Sequence, residues 1–331
     1  MEDYVSRKGL IEPKRLRSLS RRSDLRGALQ LASHFGAIIL TGFLLNAAWG
    51  TWWVVPVFIL HGTLINFLYA AQHELSHWTV FKTRKLNEIF GRLVGFTQLY
   101  PRNFDQIQHF AHHRHTQDWE HDTELIREHW TLGSYLTYLS GVSYWMSRIP
   151  RLFMLTFGRD TKIPMSADDK RRVVRETRWH MAFYAVIAAL SVWFQTWAAV
   201  TFWLAPLLLT KCVHQLQNSI EHLGLTHEDN TWENTRTVRT NPLMRWMGWN
   251  MQYHTAHHTF PSVPFHRLPD LHEQIIENTG VEPNTMTYLG FQREVIRQLG
   301  WRRSEADFAD NENWIVEDRE RRRVAAGDAR A

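Results

Sequence analysis

LASHFGAIILTGFLLNAAW, residues 31–49, and WWVVPVFILHGTLINFLYAA, residues 52–71, contain no formal charge. Each is long enough to cross about 30 Å of hydrocarbon at roughly 1.5 Å per helical residue. Only Gly50 and Thr51 separate them, which predicts a tight helical hairpin. A second, shorter pair follows at 179–195 (WHMAFYAVIAALSVWFQ) and 197–213 (WAAVTFWLAPLLLTKCV), with Lys211 placed near a membrane face. Trp49, Trp52, Trp53 and Trp197 stand at the hairpin tips, where an aromatic belt would put them. The expected fold is an all-α membrane protein, four transmembrane helices in two hairpins, with a helical cytosolic cap carrying the histidine clusters described below. A soluble all-α protein with two buried hairpins is the alternative, but buried soluble helices rarely run this long with apolar residues all round.

Charge sets the orientation. The first 28 residues hold Arg7, Lys8, Lys14, Arg15, Arg17, Arg21, Arg22 and Arg26, while neither hairpin tip holds a Lys or Arg. The positive-inside rule then puts the N-terminus, the loop 72–178 and the C-terminal part in the cytoplasm. Met1–Arg26 has no apolar core of a signal peptide. Within the loop, Leu86–Leu99 and Trp130–Phe157 are apolar but interrupted by charge, as expected of helices lying in the membrane interface. The organisation expected is a basic cytosolic segment (1–28), a membrane domain (29–275) and a polar cytosolic segment (276–331), disordered from Arg319 onward.

The 331 residues carry a net charge of +5, and a mean hydropathy of −0.36 conceals the segregation just described. One cysteine, Cys212, excludes an internal disulfide framework and a four-thiolate iron–sulfur cluster. The unusual count is 19 His against 7 Lys. Eight of those His fall in three groups outside the spans: His73-Glu-Leu-Ser-His77, His109-Phe-Ala-His112-His113 and His254-Thr-Ala-His257-His258. On a helix, HxxxH and HxxHH spacings bring imidazoles to one side. Neutral imidazole is a good ligand for Fe, Zn, Cu or Ni, and imidazoles packed together without a metal would lack hydrogen-bond partners. Eight ligands exceed what one ion takes, so two ions are expected.

The fourth span is expected to run on as a helix through His214, Asn218 and His222, which then share one face. His222, farthest from the membrane, is the choice for a ninth ligand. Asn218 is placed to hold a water, and His214 and His115 are supporting residues. His34 and His61, inside the spans, are expected to bond between helices. His121 and His227 neighbour the clusters, and His129, His180, His266 and His272 are expected to be surface or packing residues.

These motifs resemble the membrane-bound fatty acid desaturase and hydroxylase superfamily, whose mark is three histidine boxes. HELSH is similar to the first box, HFAHH to the second and HTAHH to the third; Asn218-Ser-Ile-Glu-His222 resembles an NxxxH element that supplies a further ligand. The stretch Phe260-Pro-Ser-Val-Pro-Phe-His-Arg-Leu-Pro-Asp-Leu-His272 is similar to the continuation after the third box, and Arg114-His115-Thr116-Gln117-Asp118 looks most like bacterial branches. The resemblance covers roughly residues 30–275. It implies two non-haem irons held by His73, His77, His109, His112, His113, His222, His254, His257 and His258. It also implies O2 and electrons as co-substrates and a lipid-like substrate, with the enzyme in a bacterial inner membrane and its active site facing the cytoplasm. Breaking strong C–H bonds is beyond any side chain, so the metal carries that chemistry.

The expected reaction introduces a double bond into an acyl chain. The same ligand set would also serve a hydroxylase or monooxygenase acting on a lipid or carotenoid. Electrons must come from outside, because the sequence has no GxGxxG fingerprint and no CxxC cluster. A ferredoxin, rubredoxin or cytochrome b5-type donor with its reductase is expected; nucleic acid is not. HELSH also satisfies HExxH, the pattern of a zinc membrane metalloprotease, but that reading leaves both HxxHH groups unemployed.

Overall fold

The computed structural model describes residues 9–125, 129–159, 163–300 and 302–317, so the disorder expected from Arg319 onward lies outside the described residues. The chain is mostly helical. After a short α1 (Pro13–Leu19), α2 (Asp24–Ala47) and α3 (Val54–Ser76) form the first hairpin. Gly50 adopts a left-handed φ of 80° in the turn between them. Ser23 caps α2 by accepting the Arg26 N–H. Both helices are long and apolar enough to cross a membrane, by length and composition. Their polar residues inside the hairpin bond across helices: His34 Nε2 meets Leu64 O at 2.9 Å, and His61 Nδ1 meets Thr41 Oγ1 at 2.8 Å.

The second hairpin departs from the expected 179–195 and 197–213. Helix α8 runs Ala167–Trp193, and the return limb is not one helix. It comprises a π-helical turn (Val200–Leu204), α9 (Ala205–Leu209), a break at Thr210 and α10 (Lys211–Asn218). Pro206 has no N–H to continue the α ladder, and the wider π turn precedes it. Thr210 Oγ1 donates to the Pro206 carbonyl at 2.8 Å. This limb packs very closely on α3: a Cβ on Gly62 would sit 2.6 Å from the Pro206 carbonyl oxygen. Asn66 adds bonds to Leu207 O at 3.0 Å and to Thr210 Oγ1 at 3.1 Å. Gly62→Ala is therefore expected to lower stability by about 1–3 kcal/mol, the cost of overpacking; a clear drop in the thermal unfolding midpoint in detergent is the check, and an unchanged midpoint would contradict the contact.

Helix α4 (Arg84–Thr97) and α5 (Arg102–Arg114) follow the first hairpin. The apolar run 130–157 divides into α6 (Leu132–Leu139) and α7 (Val142–Thr156), because Gly141 takes a φ of 76° where a Cβ would press on Lys211. Exposed Ile89 and Leu93 on α4, and Met146, Ile149 and Phe153 on α7, give both helices an apolar outer face. Glu176 of α8 accepts the Arg102 and Asn103 N–H groups at 2.9 and 2.8 Å, satisfying the otherwise unpaired start of α5. That contact aims α5 at the end of α3.

Beyond α10 come β1 (Thr237–Val238), α11 (Pro242–Met247), α12 (His254–Thr259) and α13 (Leu268–Thr279). Strand β2 (Thr285–Met286) pairs parallel with β1 and leads into α14 (Tyr288–Leu299). The segment from residue 276, expected to be polar, contributes apolar side chains to a core. Phe291, Val295, Leu299, Trp314 and Ile315 join Trp130, Tyr135 and Ile220 in one apolar core.

Candidate metal centre

Helix α3 ends on His73 and His77, α5 carries His109, His112 and His113, and α12 carries His254, His257 and His258. His222 lies on the turn that follows α10. All nine come together, and they divide into two groups whose possible ligand atoms lie within 4.8 Å of one another. One group holds His73, His77, His109, His113 and His257; the other holds His112, His222, His254 and His258. The groups adjoin, with the His113 and His258 rings stacked at 4.1 Å.

Each HxxHH motif was expected to present three imidazoles to one side, but the structure splits both. At about 100° per residue, positions i and i+4 lie about 40° apart, whereas i+3 falls about 60° to the other side. So His109 and His113 serve one group and His112 the other, while His254 and His258 serve the second and His257 the first. Two crossing helices therefore each straddle both centres.

The helix expected to reach His222 ends at Asn218. The Arg236 guanidinium takes the Ile220 and Leu223 carbonyls, and Gly224, at φ 77°, turns the chain against Ile315. His222 reaches the cluster from that turn. Asn218, His214 and His115 belong to neither group. His214 Nδ1 meets Lys211 Nζ at 3.2 Å and its ring packs edge-on against Tyr69, while the His115 ring lies tilted beside that of His121 at 5.2 Å.

The polar atoms of the cluster face a cation's place. Within the first group the Nε2 atoms approach pairwise: 2.7 Å for His73–His257, 2.8 Å for His77–His109, 2.9 Å for His109–His113 and 3.1 Å for His77–His113. In the second, His222 and His254 stand 2.9 Å apart. Two nitrogens bound to one ion at about 2.1 Å stand roughly 3 Å apart, so the spacing fits a shared metal. The opposite ring atoms settle the protons. His222 Nδ1 lies 3.0 Å from the Asn234 carbonyl, which only accepts, so Nδ1 carries the hydrogen and Nε2 is a bare lone pair. His109 Nδ1 faces Glu124 at 3.2 Å, and His112 Nδ1 faces both Asp122 oxygens at 2.9 Å. Bare Nε2 lone pairs such as those of His222 and His109, crowded among imidazoles in a dry pocket, are met together by a single positive ion placed among them. His258 Nε2 is likewise buried without a partner.

Sequence reasoning passed over the residues that hold these rings. Asp122 also accepts the Gln117 N–H at 2.9 Å, and Gln117 takes a left-handed φ of 68° that swings the chain back under His112. The Gln117 amide then donates to the His222 carbonyl at 2.9 Å, tying the second box to the turn that bears His222. Thr116 Oγ1 meets His258 Nδ1 at 3.2 Å. The run Asp118-Trp-Glu-His-Asp-Thr-Glu124, acid-rich directly after the second box, was the available signal.

Glu74, the second residue of HELSH, is fully buried behind His257: its Oε2 accepts from Thr79 Oγ1 at 2.6 Å and the Phe265 N–H at 3.1 Å. Its Oε1 lies 3.6 Å from His257 Nδ1. A metalloprotease base would face the metal's open side; Glu74 instead anchors the Phe260–Phe265 stretch to the first box.

Burial holds most of the rings neutral. It pushes His77, His109, His113, His254, His257 and His258 below the usual imidazole range, reinforced in most by neighbouring rings, and pushes His222 down to about 3. Burial also opposes charge on His112, but Asp122 and Glu124 outweigh it and raise His112 to about 9. Burial likewise raises Asp105 to about 7 and Glu221 to about 8. In the metal-free chain, these seven imidazoles bind protons more readily once unfolded, and of the groups just named they outnumber His112, Asp105 and Glu221, which act in the opposite sense. Stability of the metal-free form is expected to fall as pH drops below about 6.5, the ordinary histidine value, because the unfolded chain binds more protons there. Thermal unfolding of the metal-free protein from pH 7.5 to pH 5 checks this; a rise in midpoint on acidification would contradict it.

The fatty acid desaturase family model matches residues 47–288. The chain is 21% identical to the sn-1 oleoyl-lipid 12-desaturase of Anabaena variabilis over 244 residues, 69% of this chain and 57% of that enzyme. It is 25% identical to the sphingolipid delta(4)-desaturase of Drosophila melanogaster over 261 residues, 71% of each chain. With the sphingolipid delta(4)-desaturase of Candida albicans, identity is 22% over 70% of this chain and 65% of the other. The chain belongs to the fatty acid desaturase family, a family of oxidoreductases.

Proposed function

We propose that this chain is a membrane-bound non-haem di-iron desaturase that uses O2 and electrons from an external donor to place a double bond in a lipid-like chain. The nine converging imidazoles carry the reading: His73, His77, His109, His113 and His257 would hold one iron, and His112, His222, His254 and His258 the other. Iron is the metal of this family, and the all-nitrogen, water-poor donor set suits it. Bound there, the irons would supply the O2-dependent oxidising power that removes two hydrogens from neighbouring carbons.

The chain's own residues would prepare that step. Asp122, Glu124 and the Asn234 carbonyl hold their imidazoles by the Nδ1 hydrogen, which aims each Nε2 at the proposed metal sites; His112, raised by its carboxylates, would give up its Nε2 proton as metal binds. Glu74 and Asp105 fix the end of α3 to its neighbours, Asp105 by accepting from Ser76 Oγ at 3.1 Å. Burial of the cluster excludes bulk water from the oxidising site.

Four spans remain the proposed topology. Alongside α2 and α3, helix α8 exposes Trp179, Phe183, Val186 and Leu190, and the return limb exposes Trp197, Val200 and Leu209. So much outward apolar surface suits lipid better than water. The basic N-terminal segment supports a site on the cytoplasmic side; a bacterial inner membrane would be its location, and a ferredoxin, rubredoxin or cytochrome b5-type protein with its reductase would be the donor. The test is heterologous expression with lipid profiling under 18O2. Alkene products without incorporated oxygen support the proposal, whereas a hydroxylated product alone would replace it with the hydroxylase reading.

A further inference from the structure

A cavity of about 720 Å³ opens between the second box and helices α6, α7 and α10, and its lining includes Glu124, Ser143, Tyr144, Ser147, Arg148 and Arg151. Its wall touches the metal centre directly, because Glu124 is the carboxylate bonded to His109. Two basic side chains meet at this wall, and among the described residues no carboxylate pairs with either. Arg148 lies over the Tyr100 ring at 3.2 Å and the Tyr144 ring at 4.7 Å, and its Nη1 is buried without a hydrogen-bond partner. Lys211 is 1% exposed, with Nζ 3.8 Å from the Tyr144 ring centroid on the far side of the cavity wall. Among the described residues, neither makes an ion pair with a carboxylate.

Other buried cations of this chain are satisfied differently. The Arg236 guanidinium donates to the carbonyls of Ile220, Leu223 and Ile315, and Arg102 donates to Leu75 O and Gln106 Oε1. A buried positive charge facing only rings is costly unless an anion joins it. An unpartnered guanidinium nitrogen, in a residue that lines a cavity together with Ser143, Tyr144 and Ser147, suits the oxygens of a carboxylate or phosphate.

We propose that Arg148, backed by Lys211, receives an anionic oxygen-rich headgroup of the substrate, so that the chain acts on an acidic amphiphile rather than on a neutral hydrocarbon. This rests on reading the adjoining histidine centre as the oxidising site. Carboxylate and phosphate share the chemistry, and the choice between them is experimental.

The test uses the full-length protein in detergent, stripped of metal, with binding followed by intrinsic tryptophan fluorescence. Working without metal keeps its outcome separate from that of the desaturase reading, which turnover decides. The probes are oleate, 1-oleoyl lysophosphatidate, oleyl alcohol and methyl oleate. At least one acidic probe is expected to bind about tenfold or more tighter than the alcohol or ester; the tighter of the two names the headgroup. Arg148→Gln should remove most of that preference while leaving oleyl alcohol binding unchanged, and Arg148→Lys should keep part of it. Lys211→Met, which preserves the buried stem, should weaken the acidic probe alone and provides an independent arm if Arg148→Gln does not fold. Equal binding of acid and alcohol, or variants that weaken both alike, would overturn the proposal.

Discussion

His257→Ala is expected to abolish desaturation and to release most of the bound iron. His257 is wholly buried, and its Nε2 lies 2.7 Å from that of His73 and 3.2 Å from that of His113. It is the single member of the third box in the group of five, while its chain neighbour His258 serves the group of four. Losing an outer partner of a metal ligand typically costs 10–100-fold in metal affinity or activity, and losing the ligand should exceed about 100-fold. The fold should survive, since α12 is also held by the apolar packing of Ala256 and Met251 against Val263 and Leu268. Iron content, turnover and thermal unfolding measured together separate the outcomes. Wild-type iron and turnover in a folded variant would refute the ligand assignment.

The second large effect is expected one layer out. Asp122 is buried, and although burial opposes its charge, His112 beside it and the hydrogen bonds it accepts hold its carboxyl down to about 2. Both of its oxygens lie 2.9 Å from His112 Nδ1, and the Gln117 and Glu124 N–H groups also point at them. Asp122→Asn keeps the shape but removes the charge and turns an NH2 toward one of those donors. Iron affinity or turnover should fall about 10–100-fold. Asp118→Asn, a change to a side chain that is 44% exposed, is the matched control and should have little effect. Equal iron affinity in the two variants would show that Asp122 does not orient its histidine.

The proposed ligands could be picked out in the sequence because they are one residue type at particular spacings. The nine histidines chosen from HxxxH, HxxHH and the run to His222 are the nine that the fold gathers. Their division into five and four was not legible, although helical geometry contains it: i+3 and i+4 point to different sides, and which side faces which centre depends on where α5 crosses α3 and α12. The first hairpin was legible from two uncharged runs. The second was blurred, because Pro206 and Thr210 break the return limb through backbone bonding that hydropathy does not register. Asp122 and Glu124 were missed because an acidic run after a motif ordinarily means a solvated loop. Only the left-handed turn at Gln117 brings that run back beneath the rings.

The central claim is that the two imidazole groups are two sites for redox-active iron. The most direct measurement is the metal content of the folded, iron-supplied chain, with the oxidation states read by Mössbauer spectroscopy on 57Fe. Two iron ions per chain are expected, one for each histidine group, with a coupled spectrum in the oxidised form. A chain that folds with a single zinc and takes up no iron would contradict it.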